Sequence, residues 1–265
     1  MPVSIVRGMD EMQFAIDDGV ATLTLNQPAK KNAVTPPMWD EMARILRAVA
    51  VDTSVRVLVL TGAGDEFCSG ADLWLAPGGE PDHPLAAMRR VSAAIQALHD
   101  LPQPTIAKVP GVAAGAGCSL ALGCDLIVAA ERARFSMIFA KRGLALDGGA
   151  SWLLPRLVGL HKAKELALFA DILSSADAEA FGLVNRVVAD DALDAFVDDW
   201  ATRLAAGPPI AYGLTKRLLN ESLNSTMADA LENEGRAQSI TLQSHDTMEA
   251  IGAYAERRDP TFRGR

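Results

Sequence analysis

The strongest constraint on how this chain folds is a change of rhythm along it. Up to about residue 190, short β-branched or alternating runs take turns with amphipathic helical stretches, and beyond that point only helical periodicity remains. "VATLTLNQP" sets Val20, Thr22 and Thr24 against Ala21, Leu23 and Leu25 and predicts a strand closed by Asn-Pro. Thr35 ahead of Pro36-Pro37 predicts a capped helix start, with the helix running over Met38–Ala50. "VRVLVLTGAG" reads as a buried strand ending at a glycine turn. A helix over Leu85–Asp100 follows the Gly/Pro-rich "APGGEPDHP", and "PTIAKV" and "DLIVAA" are further strands. Such alternation predicts an α/β layer or a coil of ββα units. "ALDAFVDDWATRLAA", "PPIAYGLTKRLLNESL", "TMADALENEGRAQSITLQ" and "DTMEAIGAYAERR" are helical throughout. The expected division is therefore a mixed core over 1–195 and a helical region over 196–265.

A chain of 265 residues is long enough to bury a proper core. Its net charge of −8 argues against a nucleic-acid backbone as partner, because phosphate binding needs a basic surface, but leaves room for a small anionic ligand held locally. Cys68, Cys118 and Cys124 form no CxxC pair, which argues against a disulfide framework or a zinc cluster and favours a reducing compartment. The N-terminal "MPVSIVRGMDEMQF" lacks a signal-peptide core. The longest uncharged run, Val109 to Cys124, is broken by Pro110 and glycines and falls short of the ~20 residues of a membrane span. A cytoplasmic protein without a membrane span is expected.

Where chemistry would reside is less obvious. "GVAAGAGCSLALGCD" is nearly all small residues and carries no charge before Asp125. Together with "FCSGAD" it forms one of two turns whose small side chains leave backbone N–H groups accessible. Two converging N–H donors make an oxyanion hole, and a helix N-terminus adds its positive end. Tight packing of a Gly/Ala helix against a sheet explains the same composition. "GAGCSL" half-matches a dinucleotide fingerprint, but Leu120 replaces the third glycine. No acid stands about 20 residues on, where Phe135 and Ser136 sit. Ser69, Ser119 and Ser151 lie in no G-x-S-x-G elbow, and His83, His99, His161 and His245 are scattered, expected on the surface or a rim. Asp147 in "GLALDGGASWLLPRL" fits a helix N-cap, while its apolar neighbours Leu144, Leu146 and Trp152 would raise its pKa as a proton shuttle requires.

Taken together, "VATLTLNQPAKKNAV", "VRVLVLTGAGDEFCSGADL", "PTIAKVPGVAAGAGCSLALGCDLIVAA", "LPRLVGLHKAKELALFADILSSADAEAFGLVNRVV" and the ending "ERRDPTFRGR" resemble the crotonase superfamily, the enoyl-CoA hydratase/isomerase family, over almost the whole length. The resemblance implies an α/β fold of the ClpP/crotonase kind, a spiral of ββα units with a helical C-terminal region for pocket closure and trimerisation. A homotrimer or a dimer of trimers is expected, with an acyl-CoA thioester as substrate and no cofactor beyond it. By position the two oxyanion donors fall on Ala71 and Ala116. The turn with Ser69, Gly70, Asp72 and Leu73, and the loop with Lys30 and Lys31, resemble CoA-contacting segments. Gly115 belongs to the second turn, and Trp74 and Leu75 are expected to bound the acyl pocket.

The departures from the family pattern are as informative. The two glutamates with which hydratases activate water fall on Ser119 and Phe139, so ordinary hydration is in doubt. Asp147 falls where ring-epoxide phenylacetyl-CoA isomerases and Δ3,Δ2-enoyl-CoA isomerases carry a proton-moving aspartate. 4-Chlorobenzoyl-CoA dehalogenases place a nucleophilic aspartate there too, but their histidine base falls on Ser92. The resemblance thus implies double-bond isomerisation by Asp147, with Met137, Phe139, Leu144, Leu146 and Trp152 as its apolar wall. A hydratase using an acid of the Glu80/Asp82 loop and a non-catalytic CoA-ester binder remain as alternatives.

Overall fold

Asp18 and Gly19 set where the main sheet begins. Both have positive φ, 45° and 82°, the two-residue hairpin geometry whose twist matches that of its strands. The turn joins β2 (Met12–Asp17) to β3 (Val20–Leu25) in antiparallel register, with Asp17 opposite Val20, and β1 (Ser4–Val6) pairs with β2 outside them. The computed structural model describes residues 4–6, 9–72 and 83–265, so the Leu73, Trp74, Leu75, Glu80 and Asp82 expectations lie outside the described residues.

After β3 the topology becomes parallel. α1 (Pro36–Val51) starts at the extended N-cap Thr35 and carries the chain to β4 (Val57–Gly62); α2 (Pro84–His99) leads to β5 (Thr105–Val109). β5 then turns a corner into β6 (Val112–Ala114), and α3 (Ala116–Leu122) follows. The unit repeats with β7 (Leu126–Ala130) and β8 (Arg134–Ser136). Among the described residues β1-β2-β3-β4-β5-β7 and β10 (Arg186–Val188) make one sheet, parallel from β3 onward. β6, β8 and β9 (Leu173–Ser174) make a second. Each strand that crosses from the first sheet to the second advances the chain by one turn of a spiral. The corner at Gly111 admits no side chain, since a Cβ there would lie 2.1 Å from the Asp65 carbonyl oxygen.

β4 is buried at every position, which is why its sequence runs β-branched without alternating. One face of the sheet packs under α1 and α2. On the other, Val57, Val59, Ile106 and Val128 meet Leu193, Val197 and Ala201 of α7 (Leu193–Ala205). Each such aliphatic side chain contributes about 1.5–3 kcal/mol by leaving water. α7 therefore spans position 195 while packing on the sheet. Between the spiral and α7 run α4 (Ala150–Val158), α5 (Leu160–Phe169) and α6 (Ser175–Ala180); beyond it come α8 (Pro209–Ser222), α9 (Met227–Thr241) and α10 (His245–Glu256). Among the described residues no helix is long and apolar enough to cross a membrane.

Candidate active site

The site is built from two turns that the spiral brings side by side. The first is Ser69–Asp72. It lies along the loop that follows the 3-10 turn Pro28–Lys30, where Lys31 and Asn32 adopt left-handed backbone (φ 50° and 56°). Ser69 N donates to Lys31 O (2.9 Å) and Ser69 Oγ to Lys30 O (3.1 Å). Val34 N donates to Gly70 O (2.8 Å) and Asp72 N to Val34 O (2.9 Å). The intervening Ala71 N–H is left without an acceptor among the described residues. The second turn is Gly115, at φ 53°, which follows β6 and presents the N–H of Ala116 at the start of α3, likewise without an acceptor among the described residues. The turns are close enough that a Cβ on Gly70 would lie 3.0 Å from Ala114 O and 3.6 Å from Ala116 N.

A cavity of about 480 Å³ opens over these amides. It brings together Lys30, Ser69, Gly70, Ala71, Asp72, Gly115, Ala116, Phe139, Leu144 and Asp147 of the expected set, and adds Ala33, Ile138 and Arg142. Lys30 pairs with Asp72 at 2.7 Å. Arg142 is exposed at the end of the 3-10 turn Ile138–Arg142 and has no ion pair among the described residues. No periodicity or motif marked it, because a single cation after an apolar turn has no local signature.

Asp147 reaches the cavity from a stretch bounded by left-handed glycines, Gly143 on one side and Gly148-Gly149 on the other. Its Oδ1 is buried and has no hydrogen-bond partner among the described residues. Burial pushes its pKa above the ordinary carboxylate value. Its carboxylate does not cap α4: Gly149 occupies the N-cap, and what Asp147 offers Ala150 N–H is its backbone carbonyl, at 3.1 Å. That same carbonyl accepts Ser119 Oγ at 3.0 Å. Ser119 is fully buried beneath the Asp147-Gly148 turn, away from the cavity lining, and a Cβ on Gly148 would come within 2.8 Å of its Cβ. No room exists there for a glutamate side chain without displacing the turn.

Other residues expected at the acyl wall lie elsewhere. Met137 is buried behind the site with Cys118, Phe135 and Leu154. Leu146 packs against the main core. Trp152 sits on the α2/α8 side of α4, with the Arg156 guanidinium 3.9 Å from its ring centroid and His99 edge-on at 5.4 Å. It lines a separate cavity of about 820 Å³ with His99 and Lys216. That cavity is larger but includes neither bare turn. His99 is accordingly half-buried rather than on a rim, and burial lowers its pKa. Lys31 points away from the cavity to Glu66, at 2.8 Å. Ser92 is exposed on α2 and donates to Met88 O. The three cysteine thiols are buried and pushed up to about 12 by desolvation, which leaves no thiolate nucleophile.

Comparison with known proteins agrees with this architecture. The family model for enoyl-CoA hydratase/isomerase matches residues 15–265. A 1,2-epoxyphenylacetyl-CoA isomerase of Escherichia coli K12 is 39% identical over 254 residues, covering 94% of this chain and 97% of the relative. A probable enoyl-CoA hydratase of Rhodobacter capsulatus is 34% identical, covering 96% and 98%. The crystal structure of a putative enoyl-CoA hydratase from Streptomyces coelicolor A3(2) superposes with a TM-score of 0.93 at 35% identity, covering 100% of this chain and 97% of that one. With its spiral of ββα units and its helical C-terminal region, this chain belongs to the enoyl-CoA hydratase/isomerase family and has the crotonase fold.

Proposed function

We propose that this enzyme isomerises the double bond of an enoyl-CoA thioester, with Asp147 as the proton carrier. The observation that carries the reading is a half-buried carboxylate, one oxygen bare, in the same cavity as two unengaged backbone N–H groups. The thioester oxygen rests on the Ala71 and Ala116 amides. Asp147 accepts a proton from the acyl chain: a C–H bond breaks, an O–H bond forms, and the electron pair delocalises into an enolate held by those amides. The carboxylic acid then returns the proton at the far end of the allylic system, shifting the double bond. No redox cofactor or metal is needed, and one acid–base group suffices because no water is activated. A pKa raised toward the working pH suits a group that must both take and give a proton. Lys30 and Arg142 supply positive charge at the lip for an anionic CoA ester.

Water addition is the competing reading, and relatives named as hydratases favour it. Against it stand Ser119, which is spent on backbone carbonyls, and Phe139, an apolar wall of the cavity. Incubation with 2-enoyl- and 3-enoyl-CoA esters, followed by mass spectrometry, separates the two. Isomerisation leaves the mass unchanged and interconverts the regioisomers, whereas a gain of one water establishes hydration. Asp147→Asn should lower isomerisation by at least ~10³-fold while CoA-ester affinity changes less than about threefold, since a neutral amide has no proton to exchange. Undiminished turnover in that variant removes Asp147 from the mechanism. Binding without any turnover across the panel would make the chain a CoA-ester binder.

A further inference from the structure

The two turns of the site belong to different elements, and one side chain outside the cavity touches the supports of both. Glu66 sits between β4 and the Ser69–Asp72 turn. Its Oε2 accepts the N–H of Val112 at 2.6 Å, and its Oε1 accepts Lys31 Nζ at 2.8 Å. Val112 is the first residue of β6, three residues before Gly115 and four before Ala116. Lys31 is the residue whose carbonyl holds Ser69 N, two residues before Ala71. The Glu66 carbonyl, in turn, accepts Asn32 Nδ2 at 2.7 Å. Asn32 is fully buried, and its amide group also bonds Ala63 O and Gln27 N. The neighbourhood is shaped around the carboxylate, since a Cβ on Gly111 would stand 2.5 Å from Oε2. Burial opposes the charge, yet the Lys31 ammonium and the Val112 amide hold the carboxyl below its ordinary pKa. The group is ionised at neutral pH and both contacts are charge-assisted.

We infer that Glu66 is a positioning residue for the oxyanion hole, its two oxygens tightening the spacing that the Cys68–β6 pairing sets between the Ala71 and Ala116 N–H groups. This rests on the oxyanion reading above and deepens it. Donors aimed at a developing charge are effective only when held within about 0.5 Å of their place by a rigid surrounding shell. Main-chain pairing already joins the two turns at their inner ends, Cys68 N donating to Val112 O and Ala114 N to Cys68 O, both at 2.9 Å. Glu66 adds a side-chain tie further out, from Val112 on one side to Lys31 on the other.

The readout is spectroscopic and does not depend on which reaction is catalysed. Cinnamoyl-CoA carries a conjugated thioester chromophore whose ultraviolet absorption moves to longer wavelength when hydrogen bonds polarise its carbonyl. With saturating cinnamoyl-CoA, Glu66→Ala should lose at least half of the wild-type red shift while its Kd changes less than threefold. Glu66→Gln, which keeps an acceptor for Val112 but gives up the ion pair, should fall between the two proteins. A full red shift in Glu66→Ala overturns the inference. So does a weaker Kd accompanied by an unchanged bound spectrum, the signature of a merely structural role. Should Glu66→Ala fail to fold, a wild-type spectrum in Glu66→Gln overturns it equally. No red shift in the unaltered protein would strike out the oxyanion hole itself and this inference with it, whereas a shift insensitive to Glu66 removes only the tie.

Discussion

At the scale of single residues, Asp147 combines a cost with a use. Its buried Oδ1 lacks a hydrogen-bond partner among the described residues, and an unsatisfied buried polar atom costs about 1–3 kcal/mol. Folding raises its pKa by burial, so the folded chain binds this proton more tightly than the unfolded one. The stability it contributes is therefore greatest below the ordinary aspartate value and fades as pH rises through the raised value. Asp147→Asn, inactive on the reading above, should nevertheless melt higher than wild type near neutral pH. The gap should close in acid, where the wild-type carboxyl is protonated. Thermal unfolding of both proteins between about pH 4 and 8 reads this directly, and a gap independent of pH would assign the effect to shape rather than charge. Asp147 was legible in the sequence as a carboxylate between an apolar run and Gly-Gly. Trp152, five residues on, was not, because α4 begins in between. A helix rotates about 100° per residue, so adjacency in sequence no longer fixes which face a side chain takes. Arg142 and Glu66 escaped for a related reason: their partners come from elsewhere in the fold, and no spacing encodes them.

At the scale of elements, the small-residue stretch serves close approach in two ways that composition could not separate. Gly117 serves packing. A Cβ there would lie 2.3 Å from Cys68 O and 2.8 Å from Cys68 C, and backbone atoms cannot yield as a flexible side chain can. Gly115 serves conformation, turning the chain at positive φ so that α3 starts with a bare N–H. Gly117→Ala should consequently push α3 away from the Cys68 backbone and carry the Ala116 amide with it. The expected result is a destabilisation of about 1–3 kcal/mol in denaturant unfolding together with a loss of ~10²-fold or more in turnover. Intact turnover would show that α3 can shift without disturbing the site. The expected β3, β4, β5, β7, α1 and α2 lie within about two residues of their observed bounds, since burial writes periodicity into sequence, whereas the short strands β6 and β8 carry too few residues to show one. The β1–β2 edge was not anticipated, although Asp18-Gly19 before an alternating run is a recognised hairpin signal.

At the scale of the whole molecule, the spiral and α7 bury their apolar surface against each other, and α9 and α10 leave most of theirs exposed. α9 buries Ala237, and α10 buries Asp246 and Ala253. Meanwhile Leu231 and Ile240 of α9 and Met248, Ile251 and Tyr254 of α10 are between 53% and 88% exposed. Helices of 15 and 12 residues are marginal in water unless an apolar face is covered, and large apolar side chains exposed at a spacing of three, as at Met248, Ile251 and Tyr254 of α10, gather on one side of a helix and mark an interaction site. Leu160, Leu168, Phe169 and Ile172, on and just after α5, are exposed as well. We propose that copies of this chain cover these faces, giving the trimer or dimer of trimers that the family resemblance implies. Light scattering at micromolar concentration should then return three or six times the 28.1 kDa chain mass. Leu231→Asp with Ile251→Asp places two charges on the proposed contact, where each is costly to desolvate, and should yield a single-chain mass. The spiral packs its core independently of this face, so the dissociated variant should keep the strand content of the wild type in circular dichroism. It should lose protection from hydrogen exchange first in α9 and α10, because a helix without a covered face opens at the lowest free energy. A wild-type chain that scatters as a monomer would mean that these helices hold their fold without a partner, and a doubly substituted chain that still assembles would mean that copies meet through another surface.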